Sequence, residues 1–123
     1  MAKRYGLPKA MRLRRRAEIN EVFRRGRYHA LGVLHAKTLP TEHAHLRFMI
    51  SVRRKIGPAP RRNRIKRLVR EAVRLHRHEL HRPHDICLFL TKPPRQPLDL
   101  AAVEKEIRKL FRRLNQHSAA SCR

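Results

Sequence analysis

The stretch from Arg53 to Arg70, RRKIGPAPRRNRIKRLVR, carries nine Lys and Arg side chains and no carboxylate around a Gly/Pro turn. The chemistry open to such a run is neutralisation of a polyanion. Guanidinium groups fork onto phosphate oxygens and stack on bases, whereas an ammonium acts as a point charge. Arg53, Arg54 and Lys55 before the turn, and Arg61, Arg62, Arg64, Lys66, Arg67 and Arg70 after it, are the candidate phosphate ligands. Asn63 adds a neutral amide that can hydrogen-bond among them. Three surfaces could present this run: a solvated helix, a membrane-surface helix or a nucleic-acid-binding helix. Solvated helices mix signs through Glu–Lys pairs four residues apart, and the opening of this one has none. The apolar side lacks the Trp and Phe of a membrane-surface helix. Nucleic-acid binding remains.

Other chemistry is poorly represented. Hydrolysis of RNA by protein groups needs a His pair, a Lys-assisted base or carboxylates that hold Mg²⁺. The nine acids are scattered from Glu18 to Glu106, mostly on helix faces among arginines, where salt pairing accounts for them. No catalytic residue is assigned, and the isolated chain is not expected to be active. His76, His78, His81 and His84 fall close together, and His81, His84 and Cys87 share a three-residue spacing. Zinc sites use paired ligands such as Cys-x-x-Cys with a second pair elsewhere, so no metal ligands are assigned and the cluster reads as a solvated helix end. Cys87 lies within an apolar run and reads as a small buried hydrophobe, Cys122 lies in a polar tail, and no disulfide between them is expected.

The whole chain repeats the message of its central run. Thirty-two Lys and Arg against nine acids give +23 on 123 residues, with a sequence pI near 11.9. Such a chain repels itself unless something acidic binds it. The length allows one domain with a modest core. No apolar run reaches membrane-spanning length, and the opening MAKRYGLPKAMRLRRR lacks the apolar segment of a signal peptide. A cytoplasmic protein without a membrane partner is expected.

The elements that must carry these residues follow from periodicity. Residues 1–13 read as a basic segment ordered only on a partner, 14–116 as a single domain and 117–123 as a disordered tail. A short helix over about Arg15–Arg25 shows Ile19, Val22 and Phe23 on one side and stops at Gly26. Residues 27–39 read as strand, broken near Gly32. Leu46, Phe48, Ile50 and Val52 then alternate with Arg47, Met49, Ser51 and Arg53, the period of a half-buried strand whose polar face is itself cationic. The basic helix, Arg61 to about Leu80, buries Ile65, Leu68, Val69, Ala72 and Val73. His84–Thr91 reads as a central strand buried on both faces. After a Pro-rich connector, a last helix starts from an Asp99 cap with Leu100, Val103, Ile107, Leu110, Phe111 and Leu114 inward and frays after Gln116.

Three segments carry a resemblance: Glu18-Ile19-Asn20-Glu21-Val22-Phe23 followed by Arg24-Arg25-Gly26, Ser51-Val52-Arg53-Arg54-Lys55-Ile56-Gly57, and above all Arg62-Asn63-Arg64-Ile65-Lys66-Arg67-Leu68-Val69-Arg70-Glu71. In order and spacing, over roughly residues 9–114, the chain resembles the bacterial ribonuclease P protein component. That family assists a catalytic RNA in removing 5′ leaders from precursor tRNA. The resemblance implies an α/β (α+β) sandwich of about four strands and three helices, with a left-handed strand–helix–strand crossover that no pattern in the sequence would have indicated.

Two surfaces are implied as well. Carried onto this chain, the contact with the RNA subunit falls on Arg53, Arg54, Lys55, Arg61, Arg62, Asn63, Arg64, Lys66, Arg67 and Arg70. The cleft for the single-stranded leader falls on Arg12, Ile19, Phe23, His35, Lys37, Met49 and Ser51. The family's first helix commonly offers two aromatics there, whereas this chain keeps only Phe23, with Ile19 at the other position and Lys37 where a strand aromatic is common. Leader binding is therefore expected to lean on charge. A core role for Phe23 stays open on the residues alone. Arg16 replaces the usual capping Asn or Ser, which blurs the start of the first helix. The implied partners are the catalytic RNA and precursor tRNA, not DNA, and the implied cofactor is Mg²⁺ held mainly by RNA. The competing class is a ribosomal protein with a structural role on ribosomal RNA, which composition alone does not separate.

Overall fold

The computed structural model describes residues 11–121. Helix α1 spans Arg16–Arg25. Its N-terminal flank, Arg15, makes no side-chain cap, and Glu18 in the first turn supplies the charge that the helix dipole favours there. The helix stops at Gly26 as the sequence indicated, but not through a left-handed residue, since φ there is −75°. Space is the reason. A Cβ on Gly26 would sit 2.3 Å from the Val22 carbonyl oxygen and 2.8 Å from that of Thr38.

Strands β1 (Arg27–Ala30) and β2 (His35–Pro40) form a hairpin around Gly32, whose φ of +141° explains the break. Strand β3 is Arg47–Ser51. A single 3₁₀ turn at Arg54–Ile56 leads to α2, Ala59–His76. That helix starts before Arg61 because Pro60 lies in its first turn, where the missing N–H costs nothing. It also ends before Leu80, giving way to a 3₁₀ turn over Arg77–Glu79. Asn115 explains the ending, because its amide donates to the Glu79 carbonyl and its side-chain oxygen accepts the His81 N–H. Strand β4 (His84–Phe89) and helix α3 (Leu100–Ser121) complete the chain. The strand is two residues shorter than expected. The helix runs past Gln116, where a tail was expected.

The sheet order is β1-β2-β4-β3, with β3 and β4 parallel and the other pairs antiparallel. Strand β4 is central, as its apolar run indicated. Helices α2 and α3 cover one face over the main core, which includes Ile65, Val69, Val73, Ile86, Leu88, Ile107, Leu110 and Phe111. Helix α1 covers part of the other face over a small second core of Leu13, Val22 and Cys87, with Ile19, Leu39 and Met49 packed against it. The N-terminal boundary moves earlier than expected. Met11 and Leu13 are each 3% exposed, and the Leu13 N–H donates to the Phe48 carbonyl at 3.0 Å. Residues 11–13 therefore belong to the domain through pairing with β3. Residues 1–10, the rest of the expected flexible segment, lie outside the described residues, as do residues 122–123.

Two expectations about polar residues change with the sheet in place. Arg47 is no free cation, because it lies directly opposite Asp85 in the β3–β4 register and donates to both its carboxylate oxygens, at 2.9 and 2.7 Å, and to Glu18 at 3.2 Å. The Asp85 hydrogen bond in particular holds its pKa above the ordinary value. His84 is not on a solvated helix end but is buried at the start of β4, donating from Nδ1 to the Arg82 carbonyl at 2.7 Å. Burial lowers its pKa. Among the described residues, no helix is long and apolar enough to cross a membrane.

Candidate nucleic-acid interface

Opposite charges are used almost entirely away from the basic run. Glu18 and Asp85 hold Arg47, Glu21 holds Arg24 and Arg25, Glu71 holds Arg74, and Glu79 holds His76 and Arg108. Glu104 takes the other imidazole nitrogen of His76, Asp99 caps α3 through the Ala102 N–H, and Glu106 accepts the N–H groups of Val33 and Leu34 at 3.1 and 2.7 Å. Salt pairing and capping thus account for eight of the nine acids, as the sequence indicated, and the ninth, Glu42, is exposed in the loop before β3. Among the described residues, no cation between Arg53 and Arg70 forms an ion pair.

That run forms one arc from the end of β3, around the 3₁₀ turn and along the first half of α2. Arg53, Arg54, Lys55, Arg61, Asn63, Arg64, Arg67 and Arg70 are exposed, and Arg62 and Lys66 are half-buried. Three arginines are partly committed within the fold. Arg62 Nε donates back to the Gly57 carbonyl at 3.1 Å, Arg61 reaches the Pro94 carbonyl at 3.2 Å and Arg64 that of Leu98 at 3.3 Å. Each uses one of five donors, so the guanidinium planes are oriented and still have N–H groups to offer. The Pro-rich connector is what orients Arg61 and Arg64, a role the sequence did not suggest.

Beside this arc, the sheet face shared with α1 carries a row of rings. Tyr28 stacks on His35 with centroids 5.8 Å apart, His35 on Phe89 at 5.6 Å, and Phe89 meets Phe23 of α1 at 5.9 Å. The sheet register produces the sequence of contacts, since His35 lies opposite Phe89 and Phe89 opposite Ser51. The Tyr28 hydroxyl hydrogen-bonds His35 Nδ1, and Thr91 Oγ1 lies 3.3 Å from His35 Nε2. Phe23 is 39% and Tyr28 51% exposed, far more than a core ring would be. Phe23, Phe89 and Ser51 line a hollow of about 220 Å³ that Arg53 and Lys55 of the arc also enter. The basic and aromatic surfaces therefore meet.

The expected cleft residues separate into three places. Phe23, His35 and Ser51 line the ring row and its hollow, and Lys37 anchors α1 beside it by donating from Nζ to the Phe23 carbonyl at 3.2 Å. Ile19 and Met49 pack into the small core under α1. Arg12 is exposed at the outer edge of β3, around a shallow hollow with Arg14, Met49 and Arg70. Two rings were missed. Tyr28 could have been found by folding residues 27–39 about Gly32, which puts it on the same sheet face as Lys37. Phe89 was hidden by the reading of its strand as buried on both faces.

The hairpin that bears Tyr28 and His35 is held from the far side of the sheet. Besides the Glu106 bonds, Lys109 donates to the Leu31 carbonyl and Arg113 to that of Ala30, each at 3.1 Å. Beneath the row, burial pushes the Cys87 thiol up to about 12, which makes it a structural hydrophobe rather than a nucleophile. Among the described residues, no three His, Cys, Asp or Glu side chains come together as a metal site.

The described residues form a small cationic α+β sandwich in which a basic arc without ion pairs lies beside an aromatic row. The ribonuclease P family model matches residues 7–115. The ribonuclease P protein component of Desulfovibrio desulfuricans is 42% identical over 97% of this chain and 94% of that protein, and the one from Bacillus velezensis 34% identical over 94% and 98%. Among solved structures, the ribonuclease P protein of Thermotoga maritima superposes with a TM-score of 0.72 at 27% identity, covering 83% of this chain and 96% of that one. That of Staphylococcus aureus gives 0.72 at 25%, covering 85% and 94%. The chain belongs to the ribonuclease P protein component family, as its motifs indicated. It is thereby a subunit type of a tRNA-processing ribonucleoprotein endoribonuclease, which decides against the ribosomal alternative.

Proposed function

We propose that this chain binds the catalytic ribonuclease P RNA through the arc from Arg53 to Arg70 and grips the single-stranded 5′ leader of precursor tRNA along the aromatic row. The observation that carries the reading is the arc itself: a run of cations without a carboxylate partner among the described residues, in a fold that pairs or caps nearly all its acids elsewhere. Guanidinium forks suit the phosphates and 2′-hydroxyls of folded RNA. The exposed rings of Phe23 and Tyr28, continued by His35 and Phe89, suit unstacked bases, which stack on aromatic faces without regard to sequence. Since Arg53 and Lys55 enter the hollow beside Phe89, one leader phosphate can be neutralised while its base lies on a ring. The RNA subunit performs the cleavage, in the cytoplasm, and the protein raises the hold on substrates that carry a leader.

Mg²⁺ does not fit as a protein-held ion here. That cation wants oxygen ligands and retained water, and eight of the nine carboxylates are engaged with arginines, histidines and backbone N–H groups, while Glu42 stands alone in a loop. Its place in the holoenzyme is among RNA phosphates.

The test is native purification followed by salt titration. A single transcript of a few hundred nucleotides should co-purify. If about six to eight phosphates are neutralised, the affinity should fall with log salt at a slope of about −4 to −7. Co-purification of whole ribosomal subunits, or a slope near zero, would overturn the assignment of the arc to this RNA.

A further inference from the structure

The histidines around the end of α2 take no part in either surface, and they divide into two kinds. His76 and His84 are committed inside the fold, to Glu79 and Glu104 and to the Arg82 carbonyl. His78 and His81 are exposed, and among the described residues their imidazoles have no hydrogen-bond or ion-pair partner. His45, from the loop before β3, joins them with Arg77 around a hollow of about 550 Å³. Its inner wall is apolar, from Met11 and Leu46, which are 3% and 5% exposed, and from half-buried Leu80. No carboxylate lines it.

This hollow is connected to the arc by one side of α2. Asn63, Arg67, Arg70, Arg74 and Arg77 follow one another at alternating steps of four and three residues, the spacing of a single stripe along a helix. The only carboxylate between residues 53 and 78 is Glu71, which is bound to Arg74. The helix is about 27 Å long at 1.5 Å per residue, so the stripe extends the cationic surface well past the arc. The hollow also lies at the start of β3 and β4, the opposite end of those strands from Ser51 and Phe89. A leader lying on the ring row is therefore the wrong occupant.

We propose that the hollow receives one unpaired nucleotide of the ribonuclease P RNA, its base against Met11, Leu46 and Leu80 and its phosphate on Arg77 and the imidazole N–H donors of His45, His78 and His81. The volume falls in the range of sites that enclose small ligands, and the apolar wall with a cationic rim matches the two halves of a nucleotide. The proposal rests on the RNA-binding role of the arc.

Full-length protein and the catalytic RNA provide the test, with His45→Ala/His78→Ala/His81→Ala compared with Arg67→Ala/Arg70→Ala. The triple variant should weaken RNA binding about tenfold and make the salt slope shallower by about one. One RNA nucleotide should lose its protection from hydroxyl radicals, while the ratio of affinities for precursors with long and one-nucleotide leaders stays fixed. His78→Glu, a single exposed change, should weaken binding further than His78→Ala and covers the case in which the triple variant folds poorly. Unchanged affinity, slope and footprint in the triple variant and in His78→Glu, with a clear loss in the Arg67/Arg70 variant, would refute the hollow and leave the arc standing. If neither set loses affinity, the RNA role of the arc fails and the hollow with it. A loss that grows with leader length would give the hollow to the substrate and overturn the proposal.

Discussion

The arc and the ring row lie side by side and are built by opposite means. The arc is contiguous in sequence, from Arg53 to Arg70, and among the described residues its cations form no ion pair. The row is assembled from α1, β1, β2 and β4, and its members touch one another at ring centroid distances of 5.6–5.9 Å. Coulomb attraction needs density of charge and tolerates loose geometry, whereas stacking needs rings held in place over a few ångströms. The protein accordingly spends its packing on the row. Lys37 and α1, together with Glu106, Lys109 and Arg113 behind the hairpin, hold the rings, while the arc is left to its own repulsion.

Removing arc charge should give the largest effect. Arg54→Ala/Lys55→Ala/Arg67→Ala should weaken RNA-subunit binding on the order of 100-fold at moderate salt and make the slope shallower by about two to three. The folded protein should be no less stable, since none of the three has a side-chain partner among the described residues, and thermal melts would show this. A large drop in melting temperature would break the contrast, because it would mean that the arc also holds the fold together.

Next in size is the row. Phe23→Ala/Tyr28→Ala should leave RNA assembly intact and weaken a precursor with a several-nucleotide leader by roughly tenfold per stacked base, since stacking is worth about 1–3 kcal/mol each. A precursor with a one-nucleotide leader should bind as before. Equal losses for both substrates would return Phe23 to a purely structural role.

The smallest effect sharpens the comparison from the far half of α2, where charge is used internally. Burial pulls the His76 imidazole down, but its hydrogen bonds to Glu79 and Glu104, both at 2.7 Å, outweigh that and hold its pKa above the ordinary value. A raised folded-state pKa contributes stability that is fully present below the unfolded value and is lost as pH rises through the folded one. His76→Gln should therefore cost about 1–3 kcal/mol at pH 6, with a smaller difference from the parent at pH 9, read from urea melts at both pH values. A difference that grows with pH would reverse the sign of the coupling.

Whatever depends on neighbours along the chain was legible in the residues alone. The period-two run at Leu46–Val52, the helical spacing of Ile65, Val69, Ala72 and Val73, the Asp99 cap and the break at Gly32 follow from local pattern, and so does the arc, because contiguous cations stay together in any fold. Which polar groups are neutralised and which rings meet followed from packing and register instead. Arg47 resembled the other strand cations until the β3–β4 register set it opposite Asp85, and His84 resembled its histidine neighbours until β4 buried it. Phe89 joined the ring row rather than the core because α1 covers only part of its sheet face, leaving the end of β4 beside an open hollow. Such outcomes depend on pairs far apart in the chain, on register and on coverage, and side-chain periodicity within one element carries no information about them.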